Sequence, residues 1–344
     1  MTETPHDTSR EIRLAARPAG LPGPEHFTLV TVPRPVPAAG DVLVRNRFFL
    51  IASSLRMMIS EGAADVPGVP FPALRPGDPL GAAALGEVVL APAGSGTAPG
   101  DLVVHHQGWR EYAAVPVADC ERLGAGHTDP VEALGHGWTA YAALTRALEV
   151  GPGDTVFISG SSGAIGSMAG QIARRLGAGR VVGSAGSAAK AERLVEEYGY
   201  DAVVVRGAAP FADQLAAAAP DGLDKCLDLV GGEQLSAAVT VANHGARIAV
   251  MGSLSGQLAA TGTGRTAPVT LDSVQLLLKR ITVRGYSADD DPQARAEWAR
   301  AYAEWHRAGL ISFPYERISG LENAVRAQLD TAAGRYLGAV VVAL

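Results

Sequence analysis

The pattern of apolar and polar positions changes character once along the chain. Up to about residue 125 the apolar residues come in short runs: Phe27–Val32, Asp41–Phe49, Gly86–Leu90, Leu102–His105 and Trp109–Val115. Pro and Gly clusters separate them, as in Val32–Gly40 and Ala91–Gly100, which predicts a β-rich domain. Val66–Pro79 holds five prolines and reads as a loop.

After Asp129 the period lengthens. Pro130–Leu148 has apolar residues at helical spacing, and Gly151–Asp154 is a turn. Strands and helices then alternate. Strands are predicted at Thr155–Ser159, Arg180–Ser184, Ala202–Val205, Leu223–Leu229 and Ala246–Val250. Helices are predicted between them at Ala164–Leu176, Ala188–Tyr198, Phe211–Ala218 and Glu233–Val241. This rhythm implies an α/β fold with a doubly wound parallel sheet. The tail adds a helix at Asp291–Ala308, a strand-like stretch from Arg317, a helix at Leu321–Ala332 and an apolar strand at Leu337–Leu344. Such a tail most simply rejoins the first domain. The expected division is 1–128, completed by about 310–344, and 129–309.

Composition narrows the class. The chain has 344 residues, 47% apolar and 19% charged, which suits two globular domains. Its net charge is −6 with no basic block, so nucleic acid is not an expected partner. Met1–Glu11 is polar and lacks the apolar core of a secretory signal. No apolar run approaches the ~18 residues of a membrane span, so no membrane partner and a cytoplasmic location are expected. Cys120 and Cys226 fit no metal or redox spacing and read as reduced thiols.

The most informative run is Val156-Phe-Ile-Ser-Gly160-Ser-Ser-Gly163-Ala-Ile-Gly166. A β-branched strand ends in a Gly-rich turn that opens a helix. Gly160 permits the tight turn, Gly163 lets backbone approach a pyrophosphate, and Gly166 lets helix and strand pack closely. The helix start adds N–H groups and partial positive charge. Ser161, Gly163, Ala164 and Ile165 are therefore candidate dinucleotide contacts.

The second strand bears on which dinucleotide. NAD sites usually carry an acidic residue at its end. Here Gly183-Ser184-Ala-Gly186-Ser187-Ala-Ala-Lys190 has none. Gly186, Ser187 and Lys190 form a small acid-free pocket with a cation, which fits the 2′-phosphate of NADP(H). Lys190 also reads as an ordinary surface helix residue. Arg206, after the third strand, is a further candidate phosphate contact.

Together with Gly135-His-Gly-Trp-Thr139-Ala140-Tyr141, Asp228-Leu-Val-Gly231-Gly232-Glu233 and Arg247-Ile-Ala-Val-Met-Gly252, these blocks resemble the zinc-independent medium-chain dehydrogenase/reductase superfamily. The likeness is to its prostaglandin reductase, or leukotriene B4 12-hydroxydehydrogenase, branch. The resemblance implies a GroES-like N-terminal domain, a Rossmann domain, NADPH and reduction of α,β-unsaturated carbonyls. It also implies a homodimer and a small-molecule substrate. It adds Val230, Gly252, Ser253, Tyr286 and Tyr336 as cofactor contacts.

Zinc-dependent members carry Gly-His-Glu where this chain reads Gly81-Ala-Ala83, so no metal is expected. The family's Asp-Pro-Tyr-Met-Arg is Ala52-Ser53-Ser54-Leu55-Arg56 here. Leu229 replaces an Asn, and Tyr336-Leu-Gly338-Ala339 replaces Asn-x-Gly-Lys, so Leu229, Tyr336 and Ala339 can offer backbone contacts only.

In such a reductase a donor must stabilise the oxygen on which negative charge develops. Tyr286 matches the family's tyrosine and is the first candidate, the alternative being a packed ring. His136 is a candidate proton donor or a hydrogen-bonded structural residue. Ser53 and Ser54 are candidate pocket hydroxyls or turn residues. His105 and His106 are adjacent on a strand, point to opposite faces and cannot share an ion. Ala288-Asp-Asp-Asp291 reads as a helix cap.

The leading expectation is an NADPH-dependent enone or enal reductase. The alternatives are a reductive cyclase of polyketide tailoring, of the tetramate macrolactam type and acting on a bulky polyketide, a quinone reductase, and an NADPH-binding protein without turnover.

Overall fold

A computed structural model describes residues 7–63, 73–124, 129–261 and 264–344. The expected domain junction at 128–129 borders residues 125–128, and part of the Val66–Pro79 loop is 66–72; both lie outside the described residues.

Among the described residues, six strands form one parallel sheet in the order Ala202–Val205, Arg180–Ala185, Thr155–Ile158, Leu223–Asp228, Ala242–Val250 and Thr282–Gly285. Helices on both faces explain why the central strands are apolar throughout. Every residue of Thr155–Ile158 is buried. Phe157, Val182, Val204 and Ile248 fill one side, and Val156, Ile158, Val181 and Ala249 the other. The first helix lies close to the sheet because Gly170 and Gly183 leave room for the ring of Tyr200, whose hydroxyl donates to the Gly166 carbonyl at 2.6 Å. Strand order reverses between Thr155–Ile158 and its neighbour Leu223–Asp228. Ligands of such sheets bind at the carboxyl ends of the strands at that switch point.

Seven strands form the other main sheet. It runs Tyr315–Ser319, Ala339–Ala343, Asp41–Ile51, Ala84–Leu90, Leu102–His105 and Glu121–Arg122, with Tyr112–Pro116 also on Asp41–Ile51. The tail thus enters the N-terminal sheet: Val340–Ala343 pair antiparallel with Phe48–Ile51.

Three elements differ from expectation. Thr8–Leu14 is a strand paired with Phe27–Pro33, although it begins within the polar opening stretch. Ile12 and Leu14 point inward, while Arg10 pairs with Glu111 and Arg13 with Glu11. Trp109 has a φ of 60°, so the strand expected from Trp109 starts at Tyr112. The helix expected over Pro130–Leu148 is broken into a 3-10 turn at Pro130–Leu134, an α-helix at Gly137–Ala142 and a π turn at Ala143–Ala147. Gly135 and Gly137 sit at the break because Phe313 and Trp298 occupy the space a Cβ would need. Among the described residues no helix is long and apolar enough to cross a membrane.

Candidate functional site

The Gly-rich turn joins Thr155–Ile158 to the helix Gly166–Arg175 at the switch point. Gly160 has a φ of +61°, the left-handed region that favours glycine. A Cβ on Gly166 would lie 2.5 Å from both the Gly160 carbonyl oxygen and the Ser161 Cα. The first turn of the helix carries no acidic residue and no side-chain cap. Helix-start amides and the helix dipole thus face no competing negative charge there.

Ser161 lies inside the turn. It is fully buried, and its hydroxyl donates to the Ile158 carbonyl at 2.7 Å and accepts from the Ser184 amide at 3.0 Å. Its own amide donates to the Ser184 carbonyl. Ser161 shapes the turn and offers no side-chain contact. Gly163 bridges to Gly338, Ala164 packs toward Leu50 and Val341, and Ile165 packs into the core beside the helix start.

The turn rests on a hub that sequence reasoning quoted but did not single out. Asp228 is wholly buried at the end of the fourth strand. Its carboxylate accepts from the Ser159 hydroxyl at 2.8 Å and from the amides of Gly231 and Val230 at 3.0 and 3.3 Å. Burial pushes its carboxyl up from the ordinary value, and these bonds oppose the push. The Ser159 hydroxyl in turn accepts from the Leu229 amide at 2.7 Å. Val230 borders Gly160 across this hub. Gly252 lies against the Leu229 backbone, where a Cβ would collide. The Ser253 carbonyl starts the Leu254–Gln257 helix by accepting from the Gly256 and Gln257 amides.

The second turn is different. The Ser187 hydroxyl caps the helix Ala188–Glu197 by accepting from the Lys190 amide. Lys190 is half-buried, and its ammonium donates to the carbonyls of Gly334 and Tyr336, each at 2.5 Å. Burial first, then the nearby Arg206 charge, lowers its pKa, against the pull of Glu316. Arg206 is exposed, and its guanidinium lies 3.2 Å from where a Gly186 Cβ would stand. Gly186, Ser187, Lys190, Arg206 and Tyr336 are therefore brought together, with no acid at the strand end.

The expected catalytic residues come from separate elements of the chain. Tyr286 follows the edge strand, its amide donating to Val250, its ring beneath Arg284 at 5.7 Å. Like Trp138 and Met251, it packs against the cluster of Ala142, Ala288 and Ala294, and its hydroxyl is shut off from solvent. His136 precedes the helix Gly137–Ala142, and burial lowers its pKa against the nearby Asp289. Ser53 is exposed and Ser54 half-buried, and their carbonyls accept from the Arg56 and Met57 amides. They open the short helix Leu55–Ile59, which meets the Rossmann side where Arg56 donates to the Gln257 carbonyl at 3.3 Å.

Two other expectations meet the structure. Asp291 caps the helix Pro292–Arg307 by accepting from the Ala294 amide at 2.8 Å. His105 is buried, its ring nitrogen 2.9 Å from the Asn46 side-chain oxygen. Among the described residues no group of His, Cys, Asp or Glu is arranged to hold a metal.

The comparisons agree with this architecture. Residues 10–123 match the N-terminal domain of oxidoreductase, and 164–305 match the model described as zinc-binding dehydrogenase. The chain is 31% identical to the NADPH-dependent curcumin reductase of Escherichia coli over 96% of this chain and 95% of that one. The chain belongs to the medium-chain dehydrogenase/reductase superfamily, in its prostaglandin reductase branch. Prostaglandin reductase 1 of Bos taurus is 28% identical over 94% of this medium-chain reductase and 95% of its own length. CurA from Vibrio vulnificus, solved in complex with NADPH, superposes with a TM-score of 0.86 at 30% identity, covering 97% of this chain and 98% of that one.

Proposed function

We propose that this reductase uses NADPH to reduce the conjugated C=C bond of an α,β-unsaturated carbonyl compound, without zinc. The observation that carries the cofactor choice is the pairing of Lys190 with Arg206 beside Gly186 and Ser187, at a strand end that lacks an acid. The first turn fits a pyrophosphate, since Gly160 takes the left-handed conformation of a tight turn and a Cβ at Gly163 would meet only the Gly160 carbonyl oxygen, at 3.4 Å. The likeness to a curcumin reductase and a prostaglandin reductase supports the carbonyl-conjugated substrate.

When bound, NADPH supplies the hydride. The chain's own part is to orient and to exclude water. Lys190, Arg206 and Ser187 hold the 2′-phosphate, Val230, Gly252 and Ser253 line the far side, and Ser53 and Ser54 stand open enough to meet a substrate carbonyl. Tyr286 and His136 form the wall behind. The working division is 1–128 with 310–344 as the substrate domain, and 129–309 as the cofactor domain.

The test is loss of NADPH absorbance with a panel of enones, enals and quinones, and product analysis by NMR. Expected are a saturated open-chain product and at least about tenfold weaker use of NADH, the scale of one lost charge-assisted contact. NADPH binding without consumption across the panel would sink the proposal.

We also propose a homodimer. The edge strand Thr282–Gly285 is exposed along its length, and Val274, Leu277 and Leu278 beside it are 55%, 74% and 68% exposed. An unpaired strand edge next to apolar side chains suits pairing with a second copy. Light scattering should give twice the chain mass, and Leu277→Asp should shift it toward one chain. A wild-type monomer at micromolar concentration would refute the dimer.

A further inference from the structure

Lys190 occupies the expected phosphate site, yet its ammonium already has partners. The carbonyls it grips, Gly334 and Tyr336, belong to a strap, 333–338, between the helix Ala324–Ala332 and the strand Ala339–Ala343. The other end of the strap is fixed to the first cofactor turn: the Gly338 amide donates to the Ser162 carbonyl at 2.9 Å. The next amide, Ala339, donates to the Pro314 carbonyl at 2.9 Å, and the strand then enters the N-terminal sheet beside Asp41–Ile51. One short segment thus joins both cofactor turns to the sheet of the other domain. Its middle is tied mainly to the preceding helix: the Gly334 and Arg335 amides donate to the Thr331 and Asp330 carbonyls, each at 2.9 Å, the Tyr336 hydroxyl donates to Asp330 at 3.4 Å, and Leu337 is buried. Gly334 and Arg335 are exposed, and Arg335 is tied by its pair with Asp330 at 3.0 Å.

An ammonium has three donors, and two carbonyls leave one for a phosphate oxygen. Lys190 and Arg206 repel each other across this site. A phosphate dianion between them removes that repulsion and leaves the carbonyl bonds in place. Phosphate should therefore tighten the grip on the strap, and by linkage a held strap should tighten phosphate.

We infer that Lys190 is a clasp that lets the cofactor's 2′-phosphate order the 333–338 strap, and through it the edge of the substrate-domain sheet. Lys190 is here a positioning residue for the strap as well as a phosphate contact. The inference rests on the reading that the 2′-phosphate binds at Lys190.

Arg335 makes the strap its own reporter. Trypsin is added to the full chain, and release of Tyr336–Leu344 is timed by mass spectrometry, with NADP+, with NAD+ or with neither, while Kd for each is measured on the same samples. In the wild type, saturating NADP+ should slow this cut about fivefold and saturating NAD+ should not, a change expected for local stabilisation near 1 kcal/mol. Lys190→Met should be cut about fivefold faster without nucleotide and gain no protection from NADP+ at saturation. Lys190→Arg should restore part of the protection. Arg206→Ala should lose NADP+ affinity yet keep the slow cut without nucleotide. If Lys190→Met is cut at the wild-type rate while its NADP+ affinity falls, the clasp is wrong and the cofactor reading stands. If its NADP+ affinity is unchanged, the phosphate reading falls and takes the coupling with it. Equal protection by NAD+ and NADP+ removes the phosphate from the mechanism of ordering.

Discussion

The two cofactor turns lie on adjacent parallel strands, Ile158 facing Gly183 in register, and are made of opposite materials. The first is a matter of space. Its hydroxyls and its carboxylate turn inward: Ser159 to Asp228, Ser161 to Ile158, and Ser184, from the neighbouring strand, to Gln234 at 2.7 Å. The second is a matter of charge. Lys190 is half-buried with its ammonium on the Gly334 and Tyr336 carbonyls, and Arg206 is exposed. The first turn therefore serves any dinucleotide and tolerates little change. The second selects among dinucleotides and ties the 333–338 strap to the turn.

Asp228→Ala breaks the first turn from beneath and should have the largest effect. It strands the Ser159 hydroxyl and the Gly231 amide in a buried site, and each lost partner costs about 1–3 kcal/mol. A loss of about 3–4 kcal/mol should lower the melting temperature by roughly 10 °C. NADPH and NADH binding should fall together. A variant that keeps its melting temperature would mean that the hub does not support the turn.

Gly166→Ala probes the same turn with a single methyl group. The atoms it meets are backbone, the Gly160 oxygen and Ser161 Cα, which cannot swing aside as a side chain would. Overpacking of this kind costs about 1–3 kcal/mol. Calorimetry should show that loss, and Kd for NADPH and NADH should rise by the same factor. A rise confined to NADPH would overturn the division of labour between the turns.

Much of this was legible in the chain. Thr155–Ile158, Ala202–Val205 and Phe211–Ala218 sit where β-branched runs and helical spacing predict, because local pattern and burial agree there. The gathering of Gly186, Ser187, Lys190 and Arg206 was also legible, since short βα turns leave those residues few other places. Long-range facts were not. Nothing near Thr8–Leu14 announces that Arg10 will meet Glu111 or that Ile12 will be covered. The resemblance points to Tyr286 but does not say that it will pack against Ala142, Ala288 and Ala294. The second life of Lys190 depends on carbonyls some 144–146 positions away, and a carbonyl leaves no mark in a sequence.

Arg206→Ala should give the smallest effect and the sharpest contrast. One exposed charge near a phosphate contributes about 1 kcal/mol, so Kd for NADPH should rise about fivefold, with NADH binding and the melting temperature unchanged. The pH dependence carries the second half of the test. Lys190 must be protonated to hold a phosphate. Burial, then Arg206, sets its pKa below that of an ordinary lysine, so NADPH affinity in the wild type should begin to fall at lower pH than a free lysine would dictate. Removing Arg206 removes one of the two lowering causes and leaves Glu316, which raises it. The alkaline decline in NADPH affinity should therefore move to higher pH in the variant, even though its affinity near neutrality is weaker. If the decline stays in place or moves to lower pH, Arg206 and Lys190 do not act on one phosphate, and the second turn is not the charge-built selector that its composition implies.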